Sequence, residues 1–250
     1  MAIPFESAVT IARQLLKYQG FGTGDLISTS GELGVFDLLR NKRHPTLFDV
    51  GSHLGEYVDA FFTRFGDGRA FVFEPSVDHF RILCTRLKHQ PNVQFFQLAL
   101  GAEQGDAVLY KDEDITGLAS LTRRRLNHFG INMNKEERVK VSTLDEIRKD
   151  AVVKFIDLLK IDVEGHELSV LRGGVRAFDD CAIGLVQFEF GGSNLDTKTS
   201  LQDFFYFFSH YRFEIGIVKP SGKIHMLRHY DEMYEQYRTT NYVAVPIRDR

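Results

Sequence analysis

The chain has 250 residues, a formal net charge of −3, 43% apolar residues and 26% charged ones. That length fits one large domain, and the near-balance of charge argues against a nucleic-acid protein that relies on a basic surface. Cys84 and Cys181 lie far apart and form no C-x-x-C pattern, so neither a disulfide framework nor a zinc knuckle is expected, and a reducing, cytoplasmic setting fits.

The first twenty residues lack a basic region followed by an apolar one, so no signal peptide is expected. No uncharged apolar run approaches the roughly 20 residues of a membrane-spanning helix. The chain holds 22 phenylalanines and no tryptophan, read here as core filler.

In chain order, Phe5 to Tyr18 carries an apolar stripe of Val9, Ala12, Leu15, Leu16 and Tyr18, which predicts a helix. Glycines 20, 22 and 24 break it, and Ser30 to Arg40 predicts another. Residues 1–44 are read as an N-terminal helical extension and 45–250 as the main domain. From Pro45 onward strands and helices alternate. A strand at 46–50 precedes a helix at 55–65, with Val58, Phe61, Phe62 and Phe65 on one face. A strand at 70–74 precedes a helix at 77–88, with Ser76 as its expected N-cap and Val77, Phe80, Leu83, Cys84 and Leu87 inward. Strands follow at 93–98 and 107–110, and Asp112 to Glu137 reads as a long polar loop.

Beyond it come a strand at 138–142, a helical turn or two at 144–149, a strand at 155–161, a helix at 166–172 and a strand at 183–190. Ser200 to Asp203 resembles a capping box opening a Phe-rich helix. A hairpin about Pro220-Ser221-Gly222 and a final strand at 241–245 close the chain. The alternation predicts a doubly wound, mostly parallel α/β sheet of Rossmann-like type, with antiparallel strands at one edge.

Two segments carry chemistry. The first is Asp49-Val-Gly51-Ser52-His53-Leu-Gly55, joining a strand to its helix, with Glu74 ending the next strand 23 residues beyond Gly51. Glycine lets the backbone approach a ligand closely, and a carboxylate at Glu74 can accept two hydrogen bonds from a ribose diol. A dinucleotide turn would show G-x-G-x-x-G on a pyrophosphate. Here an acidic residue precedes a sparser glycine pair, which favours a cationic adenosine ligand such as S-adenosylmethionine. The bland reading of the glycine pair is tight strand–helix packing, and His53 reads as a loop residue.

The second segment is Lys160-Ile-Asp162-Val-Glu164-Gly-His166-Glu167, where an apolar run ends in three carboxylates and an imidazole. An alcohol is a poor nucleophile until its proton leaves, and His166 is the natural acceptor for it. Glu164 or Glu167 could orient its ring. Asp162, Glu164 and Glu189 could instead hold a divalent cation, but no adjacent Asp-Asn pair accompanies them, and a metal is not favoured. Arg123 to Arg125 would suit an anionic acceptor, a solvated loop being the plainer explanation.

The stretches Leu47 to Tyr57, Val72 to Pro75, Ala99 to Gly101, Ser142 to Asp145, Leu159 to Glu167 and Gln187 to Glu189 make the chain resemble the FkbM family of S-adenosylmethionine-dependent methyltransferases. The likeness covers about residues 45 to 245. It implies O-methylation of a sugar, glycan or natural-product hydroxyl. It further implies that Asp49, Gly51, Ser52 and Gly55 hold the methionine part, Glu74 and Pro75 the ribose end, Ala99 and Leu100 the adenine, and that Asp162 faces the methyl donor. His166, Asp162, Glu164 and Glu189 are the candidate catalytic residues. An Asn/Asp-Pro-Pro-Tyr sequence of amino-directed methyltransferases is absent. An NAD(P)-dependent oxidoreductase and a non-catalytic S-adenosylmethionine-binding protein are the remaining alternatives.

Overall fold

A computed structural model describes residues 4–24 and 26–247. The chain opens with α1 (Phe5–Tyr18) and a short α2 (Ile27–Ser30). Residues 32–39, expected as a continuous helix from Ser30, form 3-10 turns instead. Gly31 breaks the path with φ 75°, and Gly34 lies so close to Gly222 that a Cβ would sit 2.1 Å from its carbonyl oxygen. These residues belong to the main body: Val35, Phe36 and Leu39 are buried against α3, and Phe21 joins the opposite core. By contrast α1 buries no residue, and its stripe lies mostly in the open.

The alternating part follows the sequence reading closely. β1 (Thr46–Val50), α3 (Glu56–Arg64), β2 (Arg69–Phe73), α4 (Val77–Leu87) and β3 (Val93–Phe96) come in turn. The third strand ends at Phe96 rather than Leu98. Ala99–Leu100, β4, then joins a separate small sheet with β5 (Gly105–Lys111) and β6 (Lys135–Ser142). Then come α5 (Leu144–Asp150), β7 (Ile156–Ile161), α6 (Glu167–Arg172), α7 (Val175–Asp179) and β8 (Ile183–Phe190). The remainder is α8 (Ser193–Thr197), α9 (Leu201–His210), β9 (Phe213–Val218), β10 (Ile224–Met226) and β11 (Thr240–Pro246). The brief α7 and α8 lack an apolar stripe long enough to be read.

The main sheet has the order β10-β9-β11-β8-β7-β1-β2-β3. The run from β3 to β8 is parallel, while β11, β9 and β10 pair antiparallel at one edge. The parallel strands alternate inward residues to two layers. Phe48, Phe71, Phe73, Leu159, Ile161 and Phe188 meet helices α5, α6, α7 and α9 on one face. Leu47, Val72, Leu158 and Leu185 meet α3 and α4 on the other. Phe48, Phe61, Phe71, Phe73, Phe188, Phe190, Phe204 and Phe208 are all buried to below 2% exposure, so phenylalanine is indeed the filler of both cores.

Two details depart from the sequence reading. In α4, Leu83 and Leu87 are buried as expected, but Val77 is exposed and His79 turns inward. Ser76 occupies the N-cap position without capping: its hydroxyl accepts from Lys111 Nζ at 3.3 Å, and the Val77 amide donates to Glu137 Oε1. The capping box at Ser200 and Asp203 does form. Among the described residues no helix is long and apolar enough to cross a membrane.

Because β1 is flanked by β2 on one side and β7 on the other, the connections run in opposite directions from it. Ligands of open α/β sheets bind at the carboxyl ends of strands at such a switch point.

Candidate active site

A cavity of about 980 Å³ opens there, walled by the strand ends and by the long loop 112–134. After Val50 the chain turns at Gly51 with φ 82°. A Cβ at Gly51 would lie 1.8 Å from the Asp162 carbonyl oxygen, so only glycine lets the first turn touch the tip of β7. The Gly51 and Ser52 amides both donate to Phe73 O, and Ser52 Oγ donates to Asp49 O at 2.7 Å. Gly55, also at positive φ (85°), faces Leu83 rather than the cavity. It packs on α4 and is not among the residues that line the cavity.

Asp49 is 1% exposed, and both its carboxylate oxygens lack a hydrogen-bond partner among the described residues. Burial pushes its pKa up to about 6, against the opposing pull of Lys160 and Ser52. A buried carboxylate left this way is costly, and a cation in the cavity would complete it. Glu74 is also buried, but its backbone neighbours aim it: Oε2 accepts from the His53 amide at 3.0 Å and Oε1 from the Ser76 amide at 2.9 Å. Oε1 also faces His79 Nδ1 at 3.5 Å, while Oε2 keeps a further lone pair for a diol. Pro75, Ala99 and Leu100 extend the same wall.

The floor is an ionic cluster around Lys160, which is 5% exposed and reaches Asp162 Oδ2 at 2.9 Å. Burial alone would lower its pKa; Asp162, Glu32 and Asp49 outweigh burial and hold it above the ordinary lysine value. Glu32 comes from the N-terminal segment. Ser30 Oγ and Gln187 Nε2 donate to it, and Tyr57 Oη donates to Gln187 Oε1 at 2.6 Å. Burial raises the Glu32 pKa, with Lys160 opposing.

At the tips of β7 and β8 the remaining candidates converge. Asp162, Glu164 and Glu189 each place a carboxylate oxygen so that all three lie within 4.8 Å of one another. Two are already matched by cations: Asp162 by Lys160, and Glu164 by Arg124 Nη1 at 2.5 Å. Glu189 has its pKa raised well above the usual carboxylate value, first by burial and then by Asp162, Glu164 and Glu167. His166 lines the cavity, and burial lowers its pKa. Glu167 does not orient that ring. It accepts from the Val163 and Gly165 amides and from Asn194 Nδ2, knitting the turn together. The group that meets His166 Nε2 is Thr122 Oγ1, at 2.9 Å.

Loop 112–134 is thus a strap. The Thr116 amide donates to His79 Nε2, Ser120 Oγ donates to Glu164 O, Thr122 meets His166, and Arg125 pairs with Asp196 of α8. The three consecutive arginines divide. Arg123 pairs outward with Glu136 and lies over the Tyr110 ring, Arg124 enters the cavity, and Arg125 fastens the strap.

A domain family described as the methyltransferase FkbM domain matches residues 49–215. The chain belongs to the FkbM methyltransferase family. Among curated proteins, the hexuronic acid methyltransferase AglP of Haloferax volcanii is 26% identical over 176 residues, covering 69% of each chain. A crystal structure of an FkbM methyltransferase from Methylobacillus flagellatus is 16% identical with a TM-score of 0.48. It covers 80% of this chain, which spans only 43% of that longer one. The fibrillarin of Aeropyrum pernix with natively bound S-adenosyl-L-methionine is 13% identical, covers 86% of this chain and 76% of its own, and has a TM-score of 0.45.

Within this FkbM methyltransferase, eleven of the twelve candidate site residues from the sequence line the cavity together: Asp49, Gly51, Ser52, Glu74, Pro75, Ala99, Leu100, Asp162, Glu164, His166 and Glu189, Gly55 being the exception. Lys160, Glu32 and Arg124 were given no definite role in advance. Lys160 carried a usable signal, a lysine inside the apolar run Leu158 to Ile161, since lysine is almost never buried unpaired. Glu32 carried none, being 128 residues from its partner (160 less 32).

Proposed function

We propose that this protein transfers a methyl group from S-adenosylmethionine to a hydroxyl of a sugar acceptor. The observation that carries the cofactor half is Asp49: a buried carboxylate with neither oxygen bonded, in the wall of a cavity large enough for a nucleoside. An anionic pyrophosphate would be repelled there, and this disfavours a nicotinamide dinucleotide. Asp49, Gly51 and Ser52 would hold the methionine part, Glu74 and Pro75 the ribose, and Ala99 and Leu100 the adenine, while Asp162 faces the reacting centre. The bound cofactor supplies an electrophilic methyl group on a sulfonium.

The acceptor half is supported by the AglP relative, whose name specifies a hexuronic acid, and by the opposed shifts of two cavity groups. His166 is held toward its neutral form and can take a hydroxyl proton. Glu189 keeps its proton to higher pH than an ordinary carboxyl group and can donate a hydrogen bond to the acceptor. Burial favours the uncharged form of each group, which is the form each role needs. Lys160 and Arg124 already supply positive charge to the Asp162, Glu164 and Glu189 trio, so the proposed reaction runs without a divalent cation.

The test is release of S-adenosylhomocysteine from S-adenosylmethionine with a panel of neutral and acidic sugar glycosides, with and without a chelator. Turnover that survives chelation and yields an alkali-stable methyl ether supports the reading. An alkali-labile product would place the transfer on a sugar carboxylate and remove the need for His166. Binding of S-adenosylmethionine without turnover on any sugar would overturn the acceptor assignment alone.

A further inference from the structure

We infer that Arg124 is the specificity residue for the acceptor and that the favoured acceptor is a sugar bearing a carboxylate, such as a uronic acid; this rests on the sugar-acceptor reading above. The Arg124 side chain is only 9% exposed although it arises from a long surface loop. Its Nη1 is committed to Glu164, while its Nε is buried with no acceptor among the described residues. A buried N–H without a partner is costly, and an acceptor brought to it recovers that cost. The edge of a guanidinium formed by Nε and the adjacent Nη2 is the fork that fits a planar carboxylate with two parallel bonds. Gly192 stands beside Nη2 and puts no side chain against that end of the edge, a Cβ there lying 3.8 Å away.

The other cation of the cavity cannot serve. Lys160 sits at the floor, held by Asp162 and surrounded by Glu32 and Asp49. Arg124 instead hangs from the strap, opposite the cofactor wall, beside Glu164 and the His166 turn. The strap closes over Nε as it stands, so a carboxylate takes that edge as the strap shifts. Thr122, two residues earlier, shifts with it and leaves His166 Nε2. Anion recognition and release of the proton acceptor are then one movement.

The experiment pairs methyl glycosides of glucuronate, galacturonate and mannuronate with glucose, galactose and mannose. Each is assayed for kcat and KM, with S-adenosylhomocysteine affinity measured separately by calorimetry. The wild type is expected to prefer acidic members by about 100-fold in kcat/KM, since a site built to bond a group rejects the analogue lacking it. Arg124→Gln should bring the ratio near one, mainly through KM, with cofactor affinity within about threefold of wild type. Arg124→Lys, which keeps the charge but loses the fork, should fall between. Glu164→Gln removes the arginine's present partner and should keep the acidic preference, which a merely structural role for the ion pair would not. Equal use of neutral and acidic sugars, or an Arg124→Gln enzyme that retains the preference, overturns this inference and leaves the sugar-acceptor reading standing. Cofactor binding with no sugar methylated would sink both.

Discussion

The two walls of the cavity are built by different means. On the cofactor side, Asp49, Gly51, Ser52 and Glu74 sit at or within a few residues of the ends of adjacent strands, and the β1–β2 register and backbone amides fix them. On the acceptor side, Arg124, Thr122 and Ser120 come from a loop 40 to 44 residues from the Glu164 and His166 they touch, and side chains alone hold most of that contact. A wall fixed by backbone geometry suits a ligand that every turnover shares. A wall fixed by a few side-chain contacts can open, close and be retuned for an acceptor.

The sharpest way to break this contrast is at Gly51. With φ 82° and a Cβ 1.8 Å from Asp162 O, Gly51→Ala should cost about 3 kcal/mol or more. It should also abolish cofactor binding, read by thermal unfolding and calorimetry. His166→Ala should act on the other wall only, lowering kcat by about 10²- to 10⁴-fold while S-adenosylhomocysteine affinity stays near normal. A fully active variant would dismiss His166 as the proton acceptor.

Asp49 sharpens the comparison further, because the cofactor wall should trade stability for function. Asp49→Asn removes a buried, unbonded charge, so the ligand-free protein should gain on the order of 2 kcal/mol at neutral pH. Its cofactor affinity should fall about 100-fold, the loss of a charge-assisted pairing. The pH dependence follows with a definite sign. The folded-state pKa of Asp49, about 6, lies above its ordinary value. The folded protein therefore binds the proton more tightly than the unfolded chain, and this residue's effect on stability worsens as pH rises from about 4 to 6. A cationic ligand needs the ionised form, so affinity should be flat above about pH 7 and fall about tenfold by pH 5. The smallest effect is expected at the strap's outer fastening. Arg125 is 83% exposed where it meets Asp196, and Arg125→Ala should change stability by less than about 1 kcal/mol while raising acceptor KM a few-fold.

The same division explains what could be read in the sequence. The strand ends were legible because a short, nearly continuous apolar run that meets Asp49, Glu74 or Asp162 at its carboxyl end marks both a buried strand and the place where its chemistry begins. Glu167 was legible as a residue but not as a role. Its place beside His166 suggested a hand in orienting that ring, whereas it gathers the Val163 and Gly165 amides and Asn194. Arg123, Arg124 and Arg125 were indistinguishable as a string; only the strap's path sends one inward and two elsewhere. Glu32 and Gln187 meet through a contact 155 residues long in sequence, which no local pattern encodes. Packing also overrode local preference where residues 32–39 became 3-10 turns against the Gly222 turn.

Asp49 is proposed to pair with the ammonium group that S-adenosylmethionine and S-adenosylhomocysteine share, and calorimetric titration of S-adenosylhomocysteine at pH 7.5 and pH 5 tests this most directly. The expected result is saturable one-to-one binding in the wild type that weakens about tenfold at the lower pH, with both the tight binding and the pH effect lost in Asp49→Asn. A folded wild-type protein that shows no binding heat at either pH, or an Asp49→Asn variant that binds as tightly as wild type, would contradict it.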